Sequence, residues 1–201
     1  MVTKNPTPQE RRKEQTRRDI LENARQMIVR QGVDGLSIRA LADQIDYTPG
    51  ALYKYFDSKD DLIDAVRAAS FERLNSFIAM RIQPTNNAAE MLLNGGLAYI
   101  EYAALHPQEY FLMFNMESSK ATSGEQRDIA MRSLLQIVEF GLMQGEFVAQ
   151  DDYDAATIAY HCWATVHGIA SLQTTILLDE RDDFLLLSRV MLQKVIEGFV
   201  A

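Results

Sequence analysis

The chain has 201 residues, 47% of them hydrophobic, with only 10 Gly and 5 Pro, so it can bury a full core unaided and is neither disordered nor a repeat protein. Its net charge of −8 is wrong for a uniformly basic nucleic-acid binder, but the charge is divided. Residues 1–59 hold 11 of the 20 Lys and Arg and 8 of the 28 Asp and Glu, a net of +3, which leaves −11 on residues 60–201.

The positive charge is densest at Arg11, Arg12, Lys13, Arg17 and Arg18. One end facing a polyanion accounts for this asymmetry, and so does a solvated basic arm. Residues 1–10 read as a disordered arm. The N-terminus has no apolar stretch of the kind a signal peptide carries, and no run approaches the roughly 18 apolar residues of a membrane span. The lone Cys162 can form no intramolecular disulfide, which suits a reducing compartment. The expectation is a soluble, cytoplasmic protein with no membrane contact.

The periodicity predicts a first helix over residues 10–31, with Ile20, Leu21, Ala24, Met27 and Ile28 as its apolar stripe and Gly32 as its stop. A short second helix follows Ser37 as N-cap and buries Ile38, Leu41, Ala42 and Ile45. After the break at Asp46-Tyr47, a third opens with Thr48 as N-cap and Pro49 at its first position, and runs to Phe56. Ser58-Lys59-Asp60-Asp61 reads as a capping box for a fourth. Further helices are predicted over 60–82, 87–105, 107–115, 124–143, 152–177 and 182–200. Pro84 with Asn86-Asn87, His106-Pro107, a capping box at Ser123-Gly124-Glu125-Gln126, and Gly145 with Asp151-Asp152 punctuate them. No strand-like alternation occurs. The fold class is all-α, with a helix-turn-helix domain over 1–59 and a larger helical bundle over 60–201.

A long helix followed by two short ones across a tight turn is the plan of a helix-turn-helix, whose second short helix enters the major groove. The segment Thr48-Pro49-Gly50-Ala51-Leu52-Tyr53-Lys54-Tyr55-Phe56 has chemistry for that task. Its first residues are small, so the backbone can come close to DNA. Thr48, Tyr53 and Tyr55 offer hydroxyls to phosphate oxygens, and Lys54 a cation to phosphate or guanine. Leu52 and Phe56, four apart, face inward. Lys59 stands where a helix start favours phosphate. Ser37 and Arg39 on the preceding helix complete the candidate set. The same punctuation also occurs where helices simply pack, and Tyr53 and Tyr55 also suit half-buried positions.

Over Gly32–Leu62 the sequence GVDGLSIRALADQIDYTPGALYKYFDSKDDL resembles the N-terminal domain of TetR-family transcriptional repressors. The agreement is carried in one register by Gly32, Ser37-Ile38, Leu41-Ala42, Thr48, Gly50, Leu52-Tyr53, Phe56, Lys59 and Leu62. The resemblance implies that Tyr53, Tyr55 and Lys59 meet phosphates, and that Thr48, Pro49, Gly50 and Lys54 lie nearest the bases. Two positions depart from the pattern. Asp46 stands where such proteins usually have glycine, a small stability cost at a left-handed turn. Tyr47 replaces a small apolar residue.

Trp163-Ala164-Thr165-Val166-His167-Gly168 resembles the Trp…His-Gly pattern of one C-terminal subclass of TetR-like regulators, and Leu105–Phe114 is similar to that subclass too. The residues themselves read as a pocket within the bundle. Tyr99, Tyr102, Tyr110, Phe111, Met113, Phe114 and Met116 surround an interrupted helix, and Phe140, Met143, Trp163 and His167 lie on helices expected nearby. Such a lining suits an apolar or aromatic ligand; each residue taken singly also suits an ordinary core. His161, Cys162 and His167 do not read as a metal site, because residues six apart on a helix diverge. His167 reads instead as a buried polar group held by a hydrogen bond. No cofactor is implied.

From Phe184 to Phe199 apolar residues cover more than one helical stripe. The last two helices therefore read as a two-fold dimer surface, or else as a helix buried within the monomer. Nothing in the chain matches a Gly-x-Ser-x-Gly elbow, a phosphate loop or a Glu-x-x-His pair, so an enzyme is disfavoured. The expected function is a homodimeric repressor, released from a near-palindromic operator on double-stranded DNA by a small-molecule effector. The alternative is a helical adaptor or ligand-binding protein without sequence-specific DNA binding.

Overall fold

The computed structural model describes residues 7–82, 85, 87–114, 122–175 and 181–201. Pro84, Asn86, Met116 and the side chains of the Ser123–Gln126 capping box lie outside the described residues. Within those described, the chain forms nine helices and no strand. They are α1 (Pro8–Gln31), α2 (Ile38–Gln44), α3 (Pro49–Leu52), α4 (Lys59–Ala79), α5 (Ala88–Leu105), α6 (Pro107–Phe114), α7 (Thr122–Met143), α8 (Ala155–Thr175) and α9 (Arg181–Glu197). None of the described helices is long and apolar enough to cross a membrane.

α1 begins two residues before its expected start. Thr7 Oγ1 accepts from Glu10 N at 3.2 Å, and Glu10 accepts from Thr7 N at 2.7 Å, a full capping box with Pro8 at the first helical position. Residues 7–10 therefore belong to an ordered helix start and not to a disordered arm. The Thr-x-x-Glu pattern was available in the sequence as a start signal. Gly32 closes the helix at φ 75°, its N–H donating to Ile28 O at 2.8 Å.

Asp46 takes φ 57° at the turn between α2 and α3, in the left-handed region. A side chain there costs about 1 kcal/mol that glycine does not incur. Asp46→Gly is expected to stabilise the protein by about that amount, read as a raised denaturation midpoint. A lowered midpoint would show that the Asp46 side chain supplies a compensating bond. Tyr47, beside it, stays on the surface.

α3 is shorter than expected. Regular helix stops at Leu52, and the chain goes on to Tyr55 in tighter turns, with Lys54 N donating to Ala51 O at 3.3 Å and Tyr55 N to Leu52 O at 2.9 Å. Tyr53, Tyr55 and Phe56 lose rotamer freedom in a regular helix, and the tighter winding lets Phe56 turn inward. Thr48 starts α3 with extended backbone, but its hydroxyl makes no capping bond.

Among the described residues the buried side chains form three cores. The first joins Ile20, Ala24, Met27 and Ile28 of α1 to Leu41, Leu52 and Phe56, and takes in Leu62, Ile63 and Val66 of α4 and Leu112 of α6. The second is built on Phe71 and Leu74 of α4, the middle of α5, Tyr110 and Met113 of α6, and α8 and α9. The third, at the far end, holds Ala88, Leu92, Val138, Phe147, Ile158 and Phe199. α4 thus serves both the reading head and the bundle. α5 is the central rod of the bundle, packed against α4, α6, α7, α8 and α9. Its start is capped twice: Asn87 Oδ1 accepts from Glu90 N, and the distant Glu146 carboxylate accepts from Ala88 N at 2.7 Å and Ala89 N at 2.9 Å.

Candidate DNA interface and effector cavity

The three-helix head leaves most of its candidate contacts open to solvent. Ser37, Arg39, Thr48, Pro49, Gly50, Tyr53 and Lys54 are exposed; Tyr55 and Lys59 are half-buried. Leu52 and Phe56 point inward at 2% and 4% exposure, while Tyr53 and Lys54 between them are exposed. A Cβ added at Gly50 would meet nothing within 4 Å, so this glycine is not required by protein packing. Ser37 uses its hydroxyl oxygen as the α2 cap, 3.4 Å from Ala40 N. Ser58 Oγ accepts from Asp61 N at 3.0 Å, while the Asp61 carboxylate reaches back to Asp57 N, one residue earlier than a standard capping box. Arg17 of α1 stands over the Phe56 ring at 5.2 Å.

Within the bundle lies a cavity of about 460 Å³, inside the range of small-molecule sites. Of the eleven residues expected to line a pocket, Tyr99, Phe114 and Trp163 do so, and Met116 lies outside the described residues. His167 lies directly behind the first three. The other six are displaced, Met113 among them into the second core. Phe111 is 59% exposed because α6 buries its neighbours Tyr110, Leu112 and Met113 and turns residue 111 outward. Met143 is 77% exposed on the last turn of α7. Phe140 packs in the far core. Tyr110 and Tyr102 are buried, but their hydroxyls serve internal bonds. The rest of the lining is largely aliphatic, with Phe71, Ile78 and Ile82 from the α4 side and Met131, Leu134 and Ile137 from α7. The apolar spacing along α4 and α7 was legible, but it does not distinguish a side chain that lines a void from one that meets a neighbour.

His167 is the polar centre behind the cavity wall. Its Nδ1 is 2.8 Å from Tyr110 Oη and 3.0 Å from Tyr99 Oη, Trp163 stacks on its ring at 5.3 Å, and Phe114 meets it edge-on at 4.5 Å. It is half-buried rather than buried. Desolvation lowers its pKa from the ordinary 6.5 and raises those of Tyr99 and Tyr110. As pH falls, the unfolded chain takes up the proton first. The contribution of neutral His167 is therefore complete above pH 6.5 and lost below it. The melting temperature is expected to fall as pH drops below 6.5, and less steeply in His167→Gln; equal slopes in circular-dichroism melts would count against it. His161 is bonded elsewhere, 2.6 Å from Tyr153 Oη, and burial pushes the Cys162 thiol up to about 11. Among the described residues no three His, Cys, Asp or Glu side chains gather as a metal site.

α6 links the cavity to the reading head. Phe114 lines the cavity, Leu112 sits in the reading-head core, and buried Glu109 pairs with Arg25 of α1. Tyr102 Oη donates to Glu109 at 3.0 Å. Arg25 also holds Glu22 at 2.6 Å, and that bond, with Gln26 and Arg73 helping, keeps the Glu22 carboxyl at about 2.

Residues 20–66 match the family described as bacterial regulatory proteins, TetR family, and residues 92–184 match the tetracycline repressor-like C-terminal domain. The chain belongs to the TetR family. The second description names no subclass, and the Trp163…His167-Gly168 likeness rests on the motif alone. A helix-turn-helix transcriptional regulator of Mycobacterium tuberculosis is 28% identical over 174 residues, 83% of this chain and 74% of that protein. A Rhodococcus protein of unknown function superposes with a TM-score of 0.81 at 24% identity, over 92% of this chain and 95% of its own. A transcriptional regulator from Saccharomonospora viridis, solved in complex with choline, superposes at 0.74 with 19% identity, over 94% and 99%. As a TetR-family member the chain is a DNA-binding transcriptional regulator, with an N-terminal helix-turn-helix and a helical C-terminal bundle.

Proposed function

We propose that this TetR-family regulator is a cytoplasmic homodimeric repressor that leaves its operator when a small apolar or aromatic ligand fills the cavity. Residues 1–59 form the reading head and 60–201 the effector and dimerisation body, with α4 shared. Thr48, Pro49, Gly50 and Lys54 lie nearest the bases, and Ser37, Arg39, Tyr53, Tyr55 and Lys59 meet the phosphate backbone. The observation that carries the ligand reading is α6, with one residue on the cavity and another in the reading-head core. A ligand that displaces Phe114 moves the element on which Leu112 and Glu109 are fixed, giving the differential affinity that coupling requires. The choline complex of the Saccharomonospora regulator supports a small-molecule occupant in this fold.

The dimer reading rests on α8 and α9. The outward face of α8 carries Ala156, Tyr160, Ala164, Gly168 and Leu172 at four-residue steps, and α9 exposes Leu185, Leu186, Val190 and Met191. A continuous apolar face of this kind marks an association surface, and a two-fold pairing presents two heads to a near-palindromic site. The test begins with selection from a random duplex pool, where a two-fold symmetric motif supports the reading. Apolar and aromatic ligands are then titrated against the bound operator, while the fluorescence of the single tryptophan, Trp163, follows cavity occupancy. Ligands that change Trp163 fluorescence without releasing DNA would remove the coupling.

A further inference from the structure

α1 is longer than the core it packs on. Its buried residues begin at Ile20, and the family match also begins at residue 20. Pro8–Asp19 thus add about 18 Å of helix at 1.5 Å per residue, held by the Thr7–Glu10 capping box. The buried stripe of Ile20, Ala24 and Met27 continues backward, at the same spacing, through Arg17 and Lys13. The side that faces the body therefore turns from apolar to basic where the core ends. Cations in those positions suit an anionic surface. Arg17 stands beside the reading segment, its guanidinium 5.2 Å from the ring of Phe56, which is itself only 4% exposed and so a fixed anchor. The acidic groups of this stretch are engaged locally: Glu10 in the cap, Glu14 with Arg18 at 3.7 Å, and Asp19 accepting from Gln15 at 2.8 Å.

We propose that Lys13 and Arg17 form a second DNA contact, to backbone phosphates flanking the stretch entered by α3. The contact is sequence-blind and fixes the approach of the head, because phosphate contacts position and base contacts specify. It rests on the reading that α3 enters the major groove.

The test compares the wild-type protein with Lys13→Gln/Arg17→Gln on the selected operator duplex between 50 and 200 mM salt. Each lost phosphate contact flattens the log–log salt dependence by about 0.9, and a two-fold dimer loses four of them, so the double variant is expected to be shallower by about 3.6. It should also select the same motif, and Arg17→Lys should keep the wild-type slope because the charge remains. Weaker binding at an unchanged slope would overturn the proposal, since Arg17 would then only pack on Phe56; so would an unchanged affinity. If the wild-type protein bound no duplex, the major-groove reading would fall with it, whereas a wild-type operator complex with an unaltered slope in the variant removes this contact alone.

Discussion

Gly50→Leu is expected to leave the fold at least as stable as before and to weaken operator binding on the order of 100-fold. Gly50 sits in the first turn of α3, and its added Cβ would meet nothing within 4 Å. Replacing glycine within a helix gains up to about 1 kcal/mol of propensity. Conservation of the fold therefore gives no reason for glycine here. On the proposed docking, close approach of the duplex does: a leucine side chain would fill the space through which Thr48 and Lys54 are to reach the bases, and each lost base contact is worth about 1–3 kcal/mol. Lys54→Ala, which removes the cation and adds no bulk, should cost on the order of 10-fold and reduce discrimination at the bases that Lys54 is proposed to meet. Binding by fluorescence anisotropy, beside thermal melts of the same samples, checks both. Unchanged affinity in Gly50→Leu would mean that this end of α3 does not face DNA.

Arg67→Ala is expected to destabilise the protein by about 3–5 kcal/mol, the largest stability loss among the changes considered. Arg67 and Asp64 are each only 4% exposed at the side chain, paired at 2.8 Å, and Arg67 Nε donates to Leu112 O at 2.9 Å. Truncation removes Asp64's buried counter-charge and leaves a buried carbonyl without this donor. Replacing both charges, as Asp64→Leu/Arg67→Met, should recover much of the loss, since an apolar pair avoids the desolvation that the ion pair has to offset. Denaturant midpoints at one fixed protein concentration measure both changes, because mass action in a dimer would otherwise blur them. A double variant as unstable as the single one would place the stabilisation in the Leu112 bond instead of the pair.

Periodicity was a good guide to the helices and a poor one to their neighbours. The stripe of α1, the stop at Gly32 and the left-handed turn at Asp46 follow from local chemistry, and local chemistry is what a sequence states directly. The length of α3 did not, because three aromatic residues in four compete with regular winding and the outcome depends on where Phe56 finds its cavity. The pocket shows the same limit. Phe111 and Phe114 are alike in composition and three apart, yet one is on the surface and the other lines the cavity. Which side of α6 is enclosed is decided by α4, α5 and α8, far away in the chain. Glu109 was silent for the same reason: nothing near it in sequence announces Arg25.

The sharing of α4 between two cores sets where the chain can be divided. A fragment ending at Lys59 would lack Leu62, Ile63 and Val66, three of the buried side chains that close the reading-head core. Even a fragment carried through Val66 would lack Leu112, which arrives from α6. The head is thus completed by residues that belong to the bundle, and heat or denaturant should melt both together in one transition. Autonomy of the reading head, tested by grafting it onto another dimerisation module, would need α4 through Val66 and a substitute for the apolar plug that Leu112 provides.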